Sequence, residues 1–314
     1  MKVPSVSIMI PVYNRKIYIG ECIQSALDQT VQNFEIVIVD NASDDGTWEI
    51  CQHFALKDER IRIFRNDENI GPVRNWKRCF DEARGVYGKL LFSDDLIYPE
   101  YLEKTITYLK DPGIGFVFTD IKVGPTDDGK DLLVTSLLKN GKVRSEEYIK
   151  LSYINGAVPK SPGAALFRLS DMRNNLIWNI PSPSMNDFLS YGAGPDVLLY
   201  LLIANKYPNV ARVGEALCYF RGHKNSITVT IFGEKVASYY RQALIWFADQ
   251  YEYHELRNQY LVWEWLRMCW RNRSIMSFQQ FAGAYLFVEK SISLMEIVSF
   301  LYERVRTYHS RIDS

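Results

Sequence analysis

Apolar and polar residues alternate in blocks along the first 120 positions. Val6-Ser-Ile-Met-Ile-Pro-Val12 is a near-continuous apolar run closed by Tyr13, Asn14 and Arg15, and it predicts a first strand. Over residues 17–29 the apolar positions Ile19, Cys22, Ile23, Ala26 and Leu27 carry the spacing of one helix face. A second apolar run, Phe34-Glu-Ile-Val-Ile-Val39, closes on Asp40, and the loop that follows leads into a predicted helix over 48–55. The same reading predicts strands at 61–64, 89–92 and 115–119 and helices at 73–84 and 101–109. Strands that are apolar on both sides and alternate with helices imply a mostly parallel α/β sheet covered on both faces. Such sheets bind ligands at the carboxyl ends of their strands. The polar residues gather there: Tyr13 and Asn14 after the first strand, Asp40 after the second, Asp94 and Asp95 after the fourth.

The last of these clusters carries the most specific chemistry. In Lys89-Leu-Leu-Phe-Ser-Asp-Asp-Leu96 two carboxylates stand side by side at the rim of a core strand. They repel each other and lose hydration unless a cation sits between them. Hard oxygen ligands of this kind suit Mg²⁺ or Mn²⁺, above all a cation shared with phosphate oxygens. Asp and Ser are also ordinary turn residues, so the cluster gains its meaning from its neighbours.

Beyond residue 120 the pattern is looser. Residues 123–142 read as a polar loop, 146–153 as a helix, 164–167 as a short strand, 196–204 as a strongly apolar helix and 213–220 as a strand. From about Gly233 the chain turns to helices rich in Tyr, Trp and Arg. The 314 residues suit one large α/β domain with an addition. Lys plus Arg and Asp plus Glu each number 37, so no net field recruits nucleic acid. The five cysteines form no CxxC pair, which points away from a disulfide framework or a zinc site and toward a reducing, cytoplasmic setting. No signal peptide precedes the first strand, and no apolar stretch reaches the roughly 18 residues of a spanning helix.

Four motifs in order bear a resemblance: Ser7-Ile-Met-Ile-Pro-Val-Tyr-Asn-Arg15, Glu35-Ile-Val-Ile-Val-Asp-Asn-Ala-Ser-Asp-Asp-Gly-Thr47, Asn69-Ile-Gly71 and Phe92-Ser-Asp-Asp95. Together they resemble glycosyltransferase family 2, over roughly residues 5 to 228. The resemblance implies a GT-A fold and an inverting transfer of sugar from a nucleotide diphosphate-sugar, UDP-linked by the likeness of Asp40. It further implies a division into a catalytic domain at 1–230, with its nucleotide-binding half over about 1–120 and an acceptor half at 121–230, and a C-terminal helical region at 231–314. Asp40 would accept an N–H from the base. Pro11, Val12 and Tyr13 would wall the base, with Arg15 beside them and Arg74 facing the nucleotide or donor sugar. Asp94 would stand near the ribose or sugar, and Asp95 would hold Mn²⁺ or Mg²⁺. The family often has Asp-x-Asp where this chain has Ser93-Asp94-Asp95, which leaves the diphosphate and water to complete the metal's shell. Asp44 and Asp45 read better as helix caps than as ligands.

An inverting displacement needs a carboxylate that takes the acceptor's proton. Asp196, in Gly192-Ala-Gly-Pro-Asp196 before the apolar helix, is similar to the family's base, with Asp187 as the second candidate. His223, in Arg221-Gly-His-Lys-Asn-Ser-Ile-Thr228, resembles a late metal- or diphosphate-binding histidine, and Arg221 and Lys224 would neutralise the leaving phosphate. The implied acceptor is a glycan or lipid-linked hydroxyl in surface polysaccharide synthesis. The aromatic and cationic C-terminal helices suit either contact with the inner face of a membrane or a packing layer and homo-oligomer interface. Two other readings stay open: a sugar nucleotidyltransferase, which should carry a Gly-rich phosphate loop absent from Pro11-Val-Tyr-Asn14, and a degenerate scaffold member of the fold. A dinucleotide oxidoreductase is disfavoured, since no GxGxxG follows the first strand.

Overall fold

The computed structural model describes residues 3–125, 129–154, 156–184, 187–222, 234–272 and 276–287. Its frame is one ten-stranded sheet. The strands are β1 (Val6–Val12), β2 (Phe34–Asp40), β3 (Ile61–Arg65), β4 (Tyr87–Leu90), β5 (Leu96–Ile97), β6 (Ile114–Gly124), β7 (Leu132–Val134), β8 (Gly141–Arg144), β9 (Ala165–Arg168) and β10 (Asn209–Arg221). The spatial order is β3-β2-β1-β4-β9-β6-β10-β5, with β7 paired to β6 and β8 to β10. β1, β2, β3, β4, β6 and β10 run in one direction, and β5, β7, β8 and β9 run against them. The expected α/β sheet is therefore present and mostly parallel, with β9 inserted antiparallel at its centre.

Every residue of β1 and β2 is buried, as the unbroken apolar runs demand. Alternate side chains serve opposite faces. Ile8, Ile10, Ile36 and Ile38 pack with α1 (Ile19–Leu27), α2 (Thr47–Lys57) and α4 (Tyr101–Leu109). Met9, Val37 and Val39 pack with α3 (Pro72–Glu82), α5 (Ser145–Ser152), α6 (Leu169–Asn175) and α7 (Pro195–Lys206). In α1 the buried residues are Ile19, Cys22, Ile23 and Ala26, the face its spacing predicted. In α7 every residue from Pro195 to Ala204 is buried, because the sheet lies on one side and α8 (Glu234–Gln250) on the other. Ala243, Leu244 and Phe247 of α8, Tyr260 of α9 (His254–Asn272) and Phe281 of α10 (Phe278–Gly283) join the same core.

Three local expectations change. The fourth strand ends at Leu90 rather than Phe92: the Asp95 amide donates to Phe92 O, and the chain turns there. The supposed loop over 123–142 holds β7, the first residues of β8 and the end of β6; β7 is an edge strand with Leu132 and Leu133 exposed, so it lacks the buried alternation that would mark it. The strand expected over 115–119 runs on to Gly124 as β6, and Asp120 within it is clamped by Arg212 through both carboxylate oxygens. Of the C-terminal aromatics, Tyr239, Phe247 and Tyr260 are buried, whereas Trp270 is 83% exposed. Among the described residues, Tyr240, Trp246, Tyr253 and Trp265 also pack against the core. Among the described residues no helix is long and apolar enough to cross a membrane.

Candidate active site

The carboxyl ends of β1, β2 and β4 are tied together by polar contacts. The Val12–Asp40 register sets Tyr13 beside the loop after β2. There the Asn14 amide donates to Ser43 Oγ at 2.9 Å, Asn14 Nδ2 to Asp44 Oδ1 at 2.9 Å and the Arg15 amide to Thr47 Oγ1 at 2.8 Å. Asp44 and Asp45 are thus consumed by the loop, Asp45 accepting from the Thr47 amide at the start of α2. The Arg15 guanidinium ion-pairs with Asp94 at 3.4 Å, which joins β1 to β4. Pro11 and Val12 are buried, with the Val12 side chain in the core; Tyr13, 41% exposed, is the one of the three turned outward.

Asp40 is fully buried at the end of β2. Its Oδ2 accepts from the Ser43 amide at 3.1 Å and pairs with Arg65 at 3.2 Å. Its Oδ1 is buried without a hydrogen-bond partner. A buried acceptor left unpaired costs about 1–3 kcal/mol, so an N–H donor arriving there recovers that energy. Beside it, Asn41 accepts from the Ile70 amide at 3.0 Å and donates to Asn69 Oδ1 at 2.7 Å, fixing the Asn69-Ile-Gly71 turn. Arg74 is exposed on α3 and lies near Asp187, whose charge it stabilises.

Asp94 and Asp95 follow β4. Asp95 is 7% exposed, and its Oδ1 accepts from the Arg221 amide at 3.0 Å, so the end of β10 closes on it. Burial, then the charge of Asp94, holds the Asp95 carboxyl well above the usual range. That is the electrostatic state a divalent cation relieves, and Mg²⁺ is commonly held by one or two carboxylates plus substrate phosphates. Asp95, with Asp94 beside it, fits this donor set. Among the described residues no group of three His, Cys, Asp or Glu converges as a self-sufficient metal cage. His223 and Lys224 lie outside the described residues. The Arg221 guanidinium pairs with Glu21 and sits 5.3 Å over the Tyr18 ring, while its backbone amide donates to Asp95.

Asp196 stands in the first turn of α7. Its Oδ1 accepts from the amides of Gly194 at 2.9 Å and Val197 at 2.7 Å, and its Oδ2 accepts from the Tyr240 hydroxyl. Burial raises its carboxyl to about 6, against the lowering effect of these hydrogen bonds. That value suits a general base working near neutral pH. Asp187 is of the opposite kind. It accepts from the amides of Leu189 and Ser190 and the Ser190 hydroxyl, which lower its carboxyl below the ordinary range. It braces the turn before α7.

The two carboxylate sites share a wall. Gly192, at φ +70°, lies so close to the Trp76 ring that a Cβ would come within 2.5 Å of it. Trp76 meets Phe92 at 5.6 Å, and Phe92 leads directly into Ser93-Asp94-Asp95. On another side, the segment from Lys160 to Gly163 runs from beside Asp196 to the carbonyl that accepts from the buried Lys89.

The model of the family described as "Glycosyl transferase family 2" matches residues 7–173. The chain belongs to glycosyl transferase family 2. Among similar proteins, the putative teichuronic acid biosynthesis glycosyltransferase TuaG of Bacillus subtilis is 36% identical over 116 residues, covering 37% of this chain and 46% of TuaG. An uncharacterized glycosyltransferase of Haemophilus influenzae is 36% identical over 109 residues, 35% of this chain and 44% of that protein. The matched segment thus spans less than half the length of either relative. In fold, the chain is similar to S. aureus TarS 1-349 in complex with UDP-GlcNAc, with a TM-score of 0.67 at 18% identity over 90% of this chain and 82% of that one. It is also similar to the mannosyltransferase PcManGT of Pyrobaculum calidifontis in complex with GDP-Man and Mn²⁺, with a TM-score of 0.51 at 18% identity over 79% and 64%. These likenesses bear out the GT-A fold.

Three residues around the site of this family 2 chain escaped the sequence reading. Lys89 is fully buried under Asp95, 4.3 Å over the Tyr101 ring. A lysine opening an apolar run was the available signal. Lys160 and Tyr240 flank Asp196, and nothing in their own segments marked them.

Proposed function

We propose that this chain is an inverting glycosyltransferase that moves a sugar from a UDP-sugar to a hydroxyl of a glycan or lipid-linked acceptor in surface polysaccharide synthesis. The observation that carries the reading is the pairing of Asp196, a buried carboxylate at about 6, with the Asp94–Asp95 pair across a shared wall. Support comes from the buried, unpartnered Asp40 oxygen, from the UDP-GlcNAc that TarS binds and from the pathway in TuaG's name.

In this reading Asp40 Oδ1 accepts the ring N–H of uracil and the Tyr13 ring lies against the base. Arg15 holds Asp94 beside the ribose or sugar, and Arg74 stands at the exposed end of the donor groove. Asp95, with His223 as a further ligand, would hold a divalent cation, which supplies charge stabilisation for a departing diphosphate, and Lys224 would add positive charge. Asp196 takes the acceptor's proton as that oxygen attacks the anomeric carbon from the face opposite the UDP; the bond to the diphosphate oxygen breaks, and configuration inverts. Residues 1–230 form the catalytic unit and 231–314 a C-terminal region, whose α8 packs on α7.

The test is Mn²⁺-dependent transfer or hydrolysis in a panel of nucleotide-sugars, with the anomer of the first product read by NMR. Activity with a UDP-sugar, inversion, and loss in Asp95→Asn are expected. A folded chain that binds no UDP and does not respond to metal would sink the proposal.

A further inference from the structure

Tyr240, Arg241 and Gln242 tie α8 to three different parts of the molecule. Tyr240 donates to Asp196 Oδ2 at the start of α7. Arg241, 1% exposed, pairs with Glu264 of α9 at 3.0 Å. Gln242 donates to Pro181 O at 3.1 Å, in the segment that leads toward Asp187. From the α5 side, Tyr153 donates to Leu244 O at 2.8 Å. The position of α8 along α7 is therefore fixed from both sides of Tyr240, and the tyrosine hydroxyl is delivered to one carboxylate oxygen.

We propose that α8 is a working part of the active site, with Tyr240 as the positioning residue that orients Asp196 and keeps it ionised for proton abstraction. The proposal rests on the reading of Asp196 as the base. The two amides of α7 occupy Oδ1, so they leave Oδ2 as the oxygen to meet an acceptor hydroxyl. A donor on Oδ2 fixes the plane of the carboxylate and still leaves that oxygen a second lone pair. It also favours the anion, against the burial that disfavours it.

The charged and titratable groups facing Asp196 are few. Tyr240 comes from α8, and Lys160 reaches in from the segment before β9, 5.9 Å over the Tyr240 ring. Tyr200 lies along α7 itself, donating to Ser161 O, and Tyr148 of α5 stacks on it. Glu264 and Arg267 of α9 stand beyond Lys160. Asp171 of α6 is engaged with Tyr207 at the other end of α7. Tyr240 and Lys160 both favour the ionised base, and neither is supplied by the four sequence motifs.

The experiment compares the full chain with Tyr240→Phe, Lys160→Met and Asp196→Asn, measuring UDP affinity, kcat and its pH profile. For Tyr240→Phe, UDP affinity should be unchanged, kcat should fall about tenfold, and the acid limb should move up by about one pH unit. Lys160→Met should move the limb in the same direction. The limb's position does not depend on the fraction of active enzyme, so partial unfolding does not mask the result. Unchanged kcat and an unmoved limb in Tyr240→Phe would overturn the proposal while an inactive Asp196→Asn leaves the base reading standing. An active Asp196→Asn would remove both.

Discussion

Asp40→Asn is the sharpest test of how the base is read. In the native loop the Ser43 amide donates to Oδ2 at 3.1 Å, and the Arg65 guanidinium ion-pairs with the same oxygen at 3.2 Å. Those two donors dictate how an amide must lie: its oxygen toward Ser43 and Arg65, its NH₂ in the place of the unpartnered Oδ1. A site that presents an acceptor to the base becomes one that presents a donor. The ring N–H of uracil then faces an N–H, whereas the ring nitrogen of cytosine, an acceptor, finds a partner. Losing a hydrogen bond to a charged acceptor and setting donor against donor costs about 3 kcal/mol, or roughly 150-fold in the Kd for UDP. CDP should gain about tenfold by the same geometry. The fold should tolerate the change, because Arg65 is 42% exposed and water can take over its solvation. Titration calorimetry with UDP and CDP on both proteins gives the four constants. An unchanged UDP-to-CDP ratio in Asp40→Asn would refute the assignment of Oδ1 to the base.

Four further outcomes follow from the site. Asp196→Asn should lose about 10²–10⁴ in kcat with UDP affinity intact, and the wild-type rate should rise with pH through about 6 as the base ionises, read from the pH profile. The same residue should oppose stability. Its folded carboxyl is raised from 3.8 to about 6, so its contribution is fully present below pH 4 and lost as pH rises through 6; up to about 3 kcal/mol is at stake, and at pH 8 Asp196→Asn should denature at higher urea than wild type. Gly192→Ala should cost about 3 kcal/mol, seen as a lower melting temperature, because the left-handed backbone and the Trp76 ring both resist a Cβ. Mn²⁺ should bind weakly to the protein alone and much more tightly once UDP is present; calorimetry showing equal affinity with and without UDP would contradict the shared-ligand reading of Asp95.

What the sequence disclosed was whatever depends on local order. Buried parallel strands leave unbroken apolar runs, and such runs end where the chain must meet water; hence Tyr13, Asp40 and Asp94–Asp95 could be set at neighbouring strand ends before any coordinates. What stayed hidden depends on contacts between distant segments. Tyr239 and Tyr240 are adjacent and chemically identical, yet one packs its ring against Phe188 and Tyr191 and the other reaches Asp196, 44 positions away. Helical spacing separates their directions but does not say what waits in each. Arg221 sits in a motif that suggests a phosphate ligand, but the fold brings Glu21 to its guanidinium from 200 positions away.

Ser93 shows how such hidden contacts change the meaning of a visible motif. The substitution of a carboxylate position by serine looked like a loss of metal ligand. In the fold, Ser93 is 6% exposed, Asp94 is paired with Arg15, and Asp95 lies near the buried Lys89, whose charge favours its ionisation. The two carboxylates therefore face Arg15 and Lys89, although burial disfavours the charge on Lys89 itself. A third buried carboxylate at position 93 would add charge with no further basic partner among the contacts described, at the desolvation cost that burial imposes. On the proposed reading, Ser93 would leave part of the metal's shell to the diphosphate, so that metal and nucleotide would bind together.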